Sequence, residues 1–168
     1  MKIHNPRHVA EVRKLAMEIS LFLFIVLIMV GCGESIDLDD KETRGKIIAE
    51  AIDWDEIVKR DQTVYDANDQ TPLTGWVKMV HDNGQVRELS QYKDGKADGL
   101  GIEWYEIGQK EREHTYKDGK LVTAVAWKPN GEKCPVTNVV NGNGVWVRYS
   151  PVGTEWIRFT FKGGEQVD

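Results

Sequence analysis

The chain has 168 residues, room for one ordinary domain with short extensions and nothing larger. Six Trp, five Tyr and four Phe beside sixteen Gly and only five Pro exclude a disordered chain and suit many short strands joined by tight turns. A formal charge of −5 argues against nucleic acid and against electrostatic attachment to anionic lipid, since both need clustered Lys or Arg.

The amino terminus carries an export pattern. Lys2, Arg7, Arg13 and Lys14 form a basic leader, and residues 19–30 are an apolar run broken only by Ser20. At about twelve residues the run falls short of the roughly twenty that a spanning helix needs. It closes on Met29-Val30-Gly31-Cys32, which resembles the lipobox of bacterial lipoproteins. The resemblance implies a signal peptide over residues 1–31, cleavage after Gly31 and lipid on Cys32, so that the membrane is reached through acyl chains. Two or three such chains anchor stably, at about 0.8 kcal/mol per buried methylene. The export signal puts the anchored protein on the exported side, and Gly33, which lacks the acidic character tied to inner-membrane retention in some lipoprotein sorting systems, favours the outer membrane if the cell has two. An ordinary signal peptide with a chance cysteine, or a short anchor helix, are the other readings of these residues. Without residues 1–31, 18 basic and 25 acidic residues leave a formal charge of −7.

After Cys32 comes an acidic linker, GESIDLDDKE, so that residues 32–42 read as lipidated cysteine and tether. Residues 43–58 change character and gather Ile47, Ile48, Ala51, Ile52, Trp54, Ile57 and Val58. The spacing predicts a short amphipathic helix from Thr43 to about Ile52, with Thr43 as its candidate N-cap.

From residue 59 to 168 the chain repeats. An offset of 24 residues matches Gly75 with Gly99, Gly84 with Gly108, and YKDGK at 92–96 with YKDGK at 116–120. Turn signals fall at Gly84, Gly95, Gly108, Gly119, Gly131, Gly142, Gly153 and Gly164, separated by 11 to 13 residues. Most are Asn-Gly or Asp-Gly, the dipeptides of two-residue hairpin turns. Strands of about seven to nine residues between such turns make an all-β antiparallel meander. Ile157, Phe159 and Phe161 alternate with Arg158 and Thr160, and Val145, Val147 and Tyr149 alternate with Trp146 and Arg148, the period of half-buried strands. The unit over residues 124–144, with Lys133-Cys134-Pro135, is the most degenerate.

The unit of Gly-Trp or Gly followed by Trp-Tyr, then Asn-Gly, then Tyr-Lys-Asp-Gly-Lys resembles the bacterial variant of the MORN repeat. It stands at Gly75-Trp76 to Lys96 and at Gly99 through Trp104-Tyr105 to Lys120, with Gly144-Val145-Trp146 and Tyr149 in the last unit. Arg60-Asp61, Val64-Tyr65 and Pro72-Leu73-Thr74-Gly75 further resemble the opening of the YwqK family of toxin–antitoxin antitoxins. The resemblance implies tandem β-hairpins. Such repeats are defined by packing and turn residues, not by a reacting group, so it says little about function.

Candidate chemistry is sparse. Beyond the signal region the histidines are His81 and His114, and neither has a metal-ligand spacing to a second His or Cys; no metal site and no cofactor is expected. His81, before Asp82-Asn83-Gly84, reads as a solvent-facing loop residue. Cys134 reads as a semi-buried thiol, because if Cys32 carries lipid it has no disulfide partner. With no nucleophile motif and no phosphate loop, an enzyme is not expected. The candidate binding residues are Trp76, Trp104, Trp127, Trp146 and Trp156, with core packing expected for more than half of them. Two functions fit: an envelope-tethered scaffold for an unidentified protein or cell-wall ligand, or an antitoxin or immunity protein that binds its toxin directly.

Overall fold

The computed structural model describes residues 36–68 and 70–168. The signal peptide, the lipidation of Cys32 and the first part of the linker therefore lie outside the described residues. Residues 36–40 make a bend in which Asp37 Oδ1 accepts the amide of Asp39 at 2.8 Å. Residues Lys41–Asp168 form a separate compact unit. Among the described residues no helix is long and apolar enough to cross a membrane.

In chain order the unit comprises α1 (Lys41–Glu50), β1 (Ile52–Asp53), a 3-10 turn (Trp54–Glu56), β2 (Ile57–Arg60), β3 (Thr63–Asp66), β4 (Gly75–Val80), β5 (Val86–Lys93), β6 (Lys96–Trp104), β7 (Lys110–Lys117), β8 (Lys120–Ala126), β9 (Asn138–Val140), β10 (Asn143–Tyr149), β11 (Glu155–Lys162) and β12 (Glu165–Gln166). Strands β4 to β12 follow one another across a single sheet, and every one of these neighbours is antiparallel. At the first edge β1 adds in parallel, while β2 and β3 form their own hairpin.

The helix differs from its expected span. It starts at Lys41, so Thr43 lies inside the first turn and is not the cap, and it ends at Glu50. Residues from Ile52 onward leave the helix because they have better places to go. Ile52 pairs with Val77 on β4, and Ile52 and Ile57 pack on Val64, Leu73 and Val77. The helix itself buries no residue fully. Its carboxyl end is closed by Lys78, whose Nζ donates to the carbonyls of Ile48 at 3.3 Å and Ala51 at 3.0 Å and pairs with Asp53 at 3.3 Å. A cation there satisfies orphan carbonyls and complements the helix dipole.

The turns sort into two kinds, one at each end of the sheet. All eight repeat glycines hold φ between +76° and +83°. At Asp94-Gly95, Asp118-Gly119, Asn141-Gly142 and Gly163-Gly164 both residues have positive φ, the type I′ two-residue turn. At Gly84, Gly108, Gly131 and Gly153 only the glycine does. Its amide donates to the residue three before it, and the strands close one residue further out, as in His81 N to Gln85 O at 2.8 Å. These are three-residue turns with a glycine bulge. The Asn-Gly pairs at 83–84 and 130–131 therefore do not make the expected two-residue turns. The Asn83 and Asn130 side chains accept the amides of Gln85 and Glu132 at 2.9 and 3.0 Å, a local bond that favours this turn instead.

Each turn also touches the unit before it. The amides of Gly95, Gly119, Gly142 and Gly164 donate to the carbonyls of Leu73, Ala97, Val122 and Gly142 at 2.8 to 2.9 Å. One residue earlier, the amides of Asp94, Asp118 and Gly163 donate to the side chains of Thr74, Asp98 and Asn143 at 3.0 to 3.1 Å. Lys117 completes the second of these by pairing with Asp98 at 2.9 Å, and this hydrogen bond, with the Asp118 amide, holds the Asp98 carboxyl below the usual range. The other end has its own rungs: His81 Nε2 meets the Trp104 carbonyl, Tyr105 Oη donates to the Trp127 carbonyl, both at 2.9 Å, and Lys128 Nζ lies 5.9 Å from the Tyr149 ring centre.

The degenerate unit keeps the stack by substitution. Strand β9 has three residues and meets β8 only through Ala124 and Val139. Where the ladder stops, Thr137 Oγ1 accepts the Val147 amide at 2.9 Å, and the Cys134 amide donates to Ala126 O at 2.8 Å. The middle of β10 is consequently buried on both sides, with Trp146 among Leu121, Ala124 and Phe161 and with Val147 against Ala126 and Cys134. The alternation of Val145, Val147 and Tyr149 with Trp146 and Arg148 predicts one buried face, and the structure differs in burying the second as well.

Among the two-residue turns, glycine is needed more where the turn lies close against its neighbour. A Cβ on Gly95 would come within 2.8 Å of the Val64 carbonyl oxygen, whereas on Gly119 it would meet nothing closer than Lys96 Cβ at 4.0 Å. Gly119→Val should therefore cost about 1–3 kcal/mol from its left-handed backbone alone. Gly95→Val should cost at least about 1 kcal/mol more, from overlap. Urea denaturation midpoints of the two variants check the order, and equal midpoints would remove the close contact from the explanation.

Candidate functional site

Residues directly opposed across an antiparallel pair project on the same face. On one face, the row Val77, Ser90, Gly101, His114, Ala124 and Val139 runs across β4 to β9. The adjacent row is Met79, Glu88, Glu103, Arg112 and Ala126. The first row is otherwise small, and it holds the His114 ring because Gly101 stands opposite: a Cβ there would overlap the imidazole. The result is a pocket of about 250 Å³ with Glu88, Ser90, Tyr92, Glu103, His114 and Trp146 among its lining.

The pocket is built on buried charge. Glu103 and Arg112, with side chains 7% and 6% exposed, form an ion pair across β6 and β7. The Arg112 guanidinium also lies 4.8 Å from the Trp146 ring centre. Arg148 Nη2 stands 3.9 Å from Glu103, and Arg148 Nε binds Glu111 at 3.3 Å. Burial raises the Glu111 carboxyl above the usual range against the pull of Arg148. Burial, then the repulsion of Arg148, brings Arg112 down to about 9, which leaves it charged at neutral pH. Glu88 Oε1 accepts the Ser90 hydroxyl at 2.7 Å.

His114 is 5% exposed, and burial, reinforced by Arg112, brings its pKa to about 3. It is therefore a neutral imidazole across the physiological range. Its ring meets Tyr116 edge-on with centres 5.3 Å apart and Trp146 at 5.8 Å. Its Nδ1 is one of three buried side-chain nitrogens, with Arg112 Nε and Trp146 Nε1, that have no hydrogen-bond partner among the described residues. Burial, with repulsion from Glu88, pushes the neighbouring Tyr92 phenol up to about 12.

Other candidates from the sequence are placed elsewhere. His81 is half-buried and bonded to the next unit, so it is not the solvent-facing loop residue expected. Cys134 is buried, 3.0 Å from the Tyr149 hydroxyl and 3.2 Å from the Thr137 amide. Burial alone would raise its thiol, but these hydrogen bonds with Thr137 and Tyr149 outweigh that and leave it lowered. Trp104 and Trp146 are buried, Trp76 and Trp127 half-buried, and Trp156 is 72% exposed.

Glu88, Glu103 and Arg112 carry no motif, and reading along the chain does not single them out. Strand parity puts all three on one face, but their juxtaposition depends on register. The Asp94-Gly95 turn pairs Tyr92 with Ala97, and the bulge around Gly99 then shifts the pairing to Ser90 with Gly101 and Glu88 with Glu103. Without that shift Glu88 would face Gly101.

Comparison of the chain with known protein families, curated proteins and solved structures gives no significant match.

The ion pair makes a strong demand on stability. Arg112→Met leaves the Glu103 carboxylate buried without its cation and should cost about 3–5 kcal/mol, while adding Glu103→Met should recover most of the loss. Denaturation midpoints of the single and double variants measure this. A single variant as stable as the wild type would mean the pair is not buried as described.

Proposed function

We propose that this chain is a lipid-anchored protein of the cell envelope whose repeat sheet, of the MORN type, is a binding scaffold for another protein or a cell-wall glycan and not an enzyme. Support for the anchor is the sequence at 29–32, with Cys32 as the point of lipid attachment. The repeat reading draws on the recurring turn bonds, since stacked units that cannot bury their aromatics alone are the mark of repeat architecture.

The observation that carries the binding role is Trp156. It is 72% exposed on β11, beside Ile157 at 40%, with the Arg148 guanidinium 6.0 Å from its ring centre. A large aromatic held in water by a cation offers the anchor on which protein interfaces and sugar rings are recognised. Its neighbours on the strand, Glu155 and Arg158, pair with each other at 2.9 Å.

Affinity capture from envelope extract with the full chain, followed by titration of the captured partner, tests this reading. Trp156→Ala should weaken binding at least about tenfold, while His81→Ala and Cys134→Ala stay within about tenfold of the wild type. In the same cells a clickable fatty acid should label the wild type and not Cys32→Ser. Full affinity in Trp156→Ala, or equal labelling of Cys32→Ser, contradicts the reading.

A further inference from the structure

We propose that Glu88, Glu103 and His114 form a site for one divalent transition-metal ion of the zinc class. Each offers one donor atom, and the three donors lie within 4.8 Å of one another. They come from three consecutive strands, β5, β6 and β7, through the two adjacent rows already described.

Two features of the cluster lack an explanation in packing alone. Glu88 and Glu103 are direct cross-strand partners on one face, and like charges directly opposite each other destabilise a sheet. Arg112 pairs with Glu103 on the side of β7, and the bond found for Glu88 comes from a neutral hydroxyl. A cation held between the two carboxylates removes their repulsion. The second feature is His114, a buried imidazole that lines the pocket and whose Nδ1 has no hydrogen-bond partner among the described residues. Buried polar atoms in folded proteins are nearly always satisfied, by protein, water or an ion.

The donor set decides the class of ion. One imidazole nitrogen with two carboxylate oxygens suits zinc and its first-row neighbours, whereas calcium and magnesium prefer oxygen alone. Three protein ligands leave a fourth position open to the pocket. Zinc–ligand bonds of about 2.0–2.2 Å require the donors to draw closer, and Glu88, half-buried on a flexible stem, is the residue able to move. Ser90, by donating to Glu88 Oε1, orients that carboxylate and leaves its second oxygen for the ion. Gly101 supplies the space, since any side chain there would displace the His114 ring.

The test uses the full chain, stripped with chelator and titrated with Zn²⁺ alone in competition with a chromophoric chelator. One Zn²⁺ should bind with a dissociation constant below about 10 µM. X-ray absorption should show nitrogen and oxygen ligands without sulfur. Glu88→Gln, which keeps an acceptor for Ser90, and His114→Gln should each weaken binding at least about tenfold. Because His114→Gln alters a packed interior and can unfold the chain, Glu88→Gln, with a metal-free denaturation midpoint no lower than that of the wild type, is the deciding variant. Failure of the folded wild type to bind, a sulfur ligand in the spectrum, or equal binding by folded Glu88→Gln overturns the site.

Discussion

The fold depends on one hydrogen bond made repeatedly: a turn glycine donating its amide to a carbonyl of the preceding unit. A type I′ turn needs positive φ at both residues, and glycine at the second position meets that need; at Gly95, Gly142 and Gly164 it also lets another backbone approach where a Cβ would overlap. Gly95, Gly119, Gly142 and Gly164 all make this hydrogen bond, and the adjacent turn residue adds a bond to the side chain of Thr74, Asp98 or Asn143 in three of four cases. Where the fourth case has no such bond among the described residues, the chain is also at its most irregular, with β9 cut to three residues and the Thr137 hydroxyl standing in for a ladder carbonyl. A hairpin alone is marginal in water, so bonds between hairpins are what allow the aromatic residues to be buried at all.

Those stacked hairpins fix the register that assembles the polar cluster. Gly101 opposite His114 and the bulge around Gly99 together bring Glu88, Glu103, Arg112 and His114 into two adjacent rows. Interior charge of this kind is costly: Arg112 must pair with Glu103 and lie over Trp146 to remain inside. Apolar replacement of a buried pair is often neutral or stabilising, and the two facing carboxylates and the His114 Nδ1 without a partner among the described residues are the features that the proposed metal ion accounts for.

Much of the architecture was legible in the sequence because it rests on local chemistry. Glycines at a regular spacing mark turns whatever the tertiary context, and strand lengths follow from them. Most of what escaped the sequence has a tertiary cause. The helix ends at Glu50 because Ile52 pairs with Val77, a partner 25 residues away. Asn83-Gly84 and Asp94-Gly95 look alike as dipeptides, yet they form different turns, and the Asn83 side-chain bond to Gln85 is one local difference. His81 is half-buried where the sequence predicts a solvent-facing loop residue, because its partner, the Trp104 carbonyl, lies in the next unit. The candidate site was hidden for the same reason: bulges add or skip residues between strands, so spacing along the chain gives no guide to which carboxylate faces which.

Native-state amide exchange of the full chain tests the inter-unit bond most directly. The amides of Gly95, Gly119 and Gly142, which donate to another unit, should exchange only with global opening, as slowly as core strand amides such as Leu89 and Ile102. Gly84, Gly108 and Gly153, which donate within their own turns, should exchange at least about a hundredfold faster through local opening. Equal protection in the two sets of glycines would mean that the stacked turns do not hold the units together.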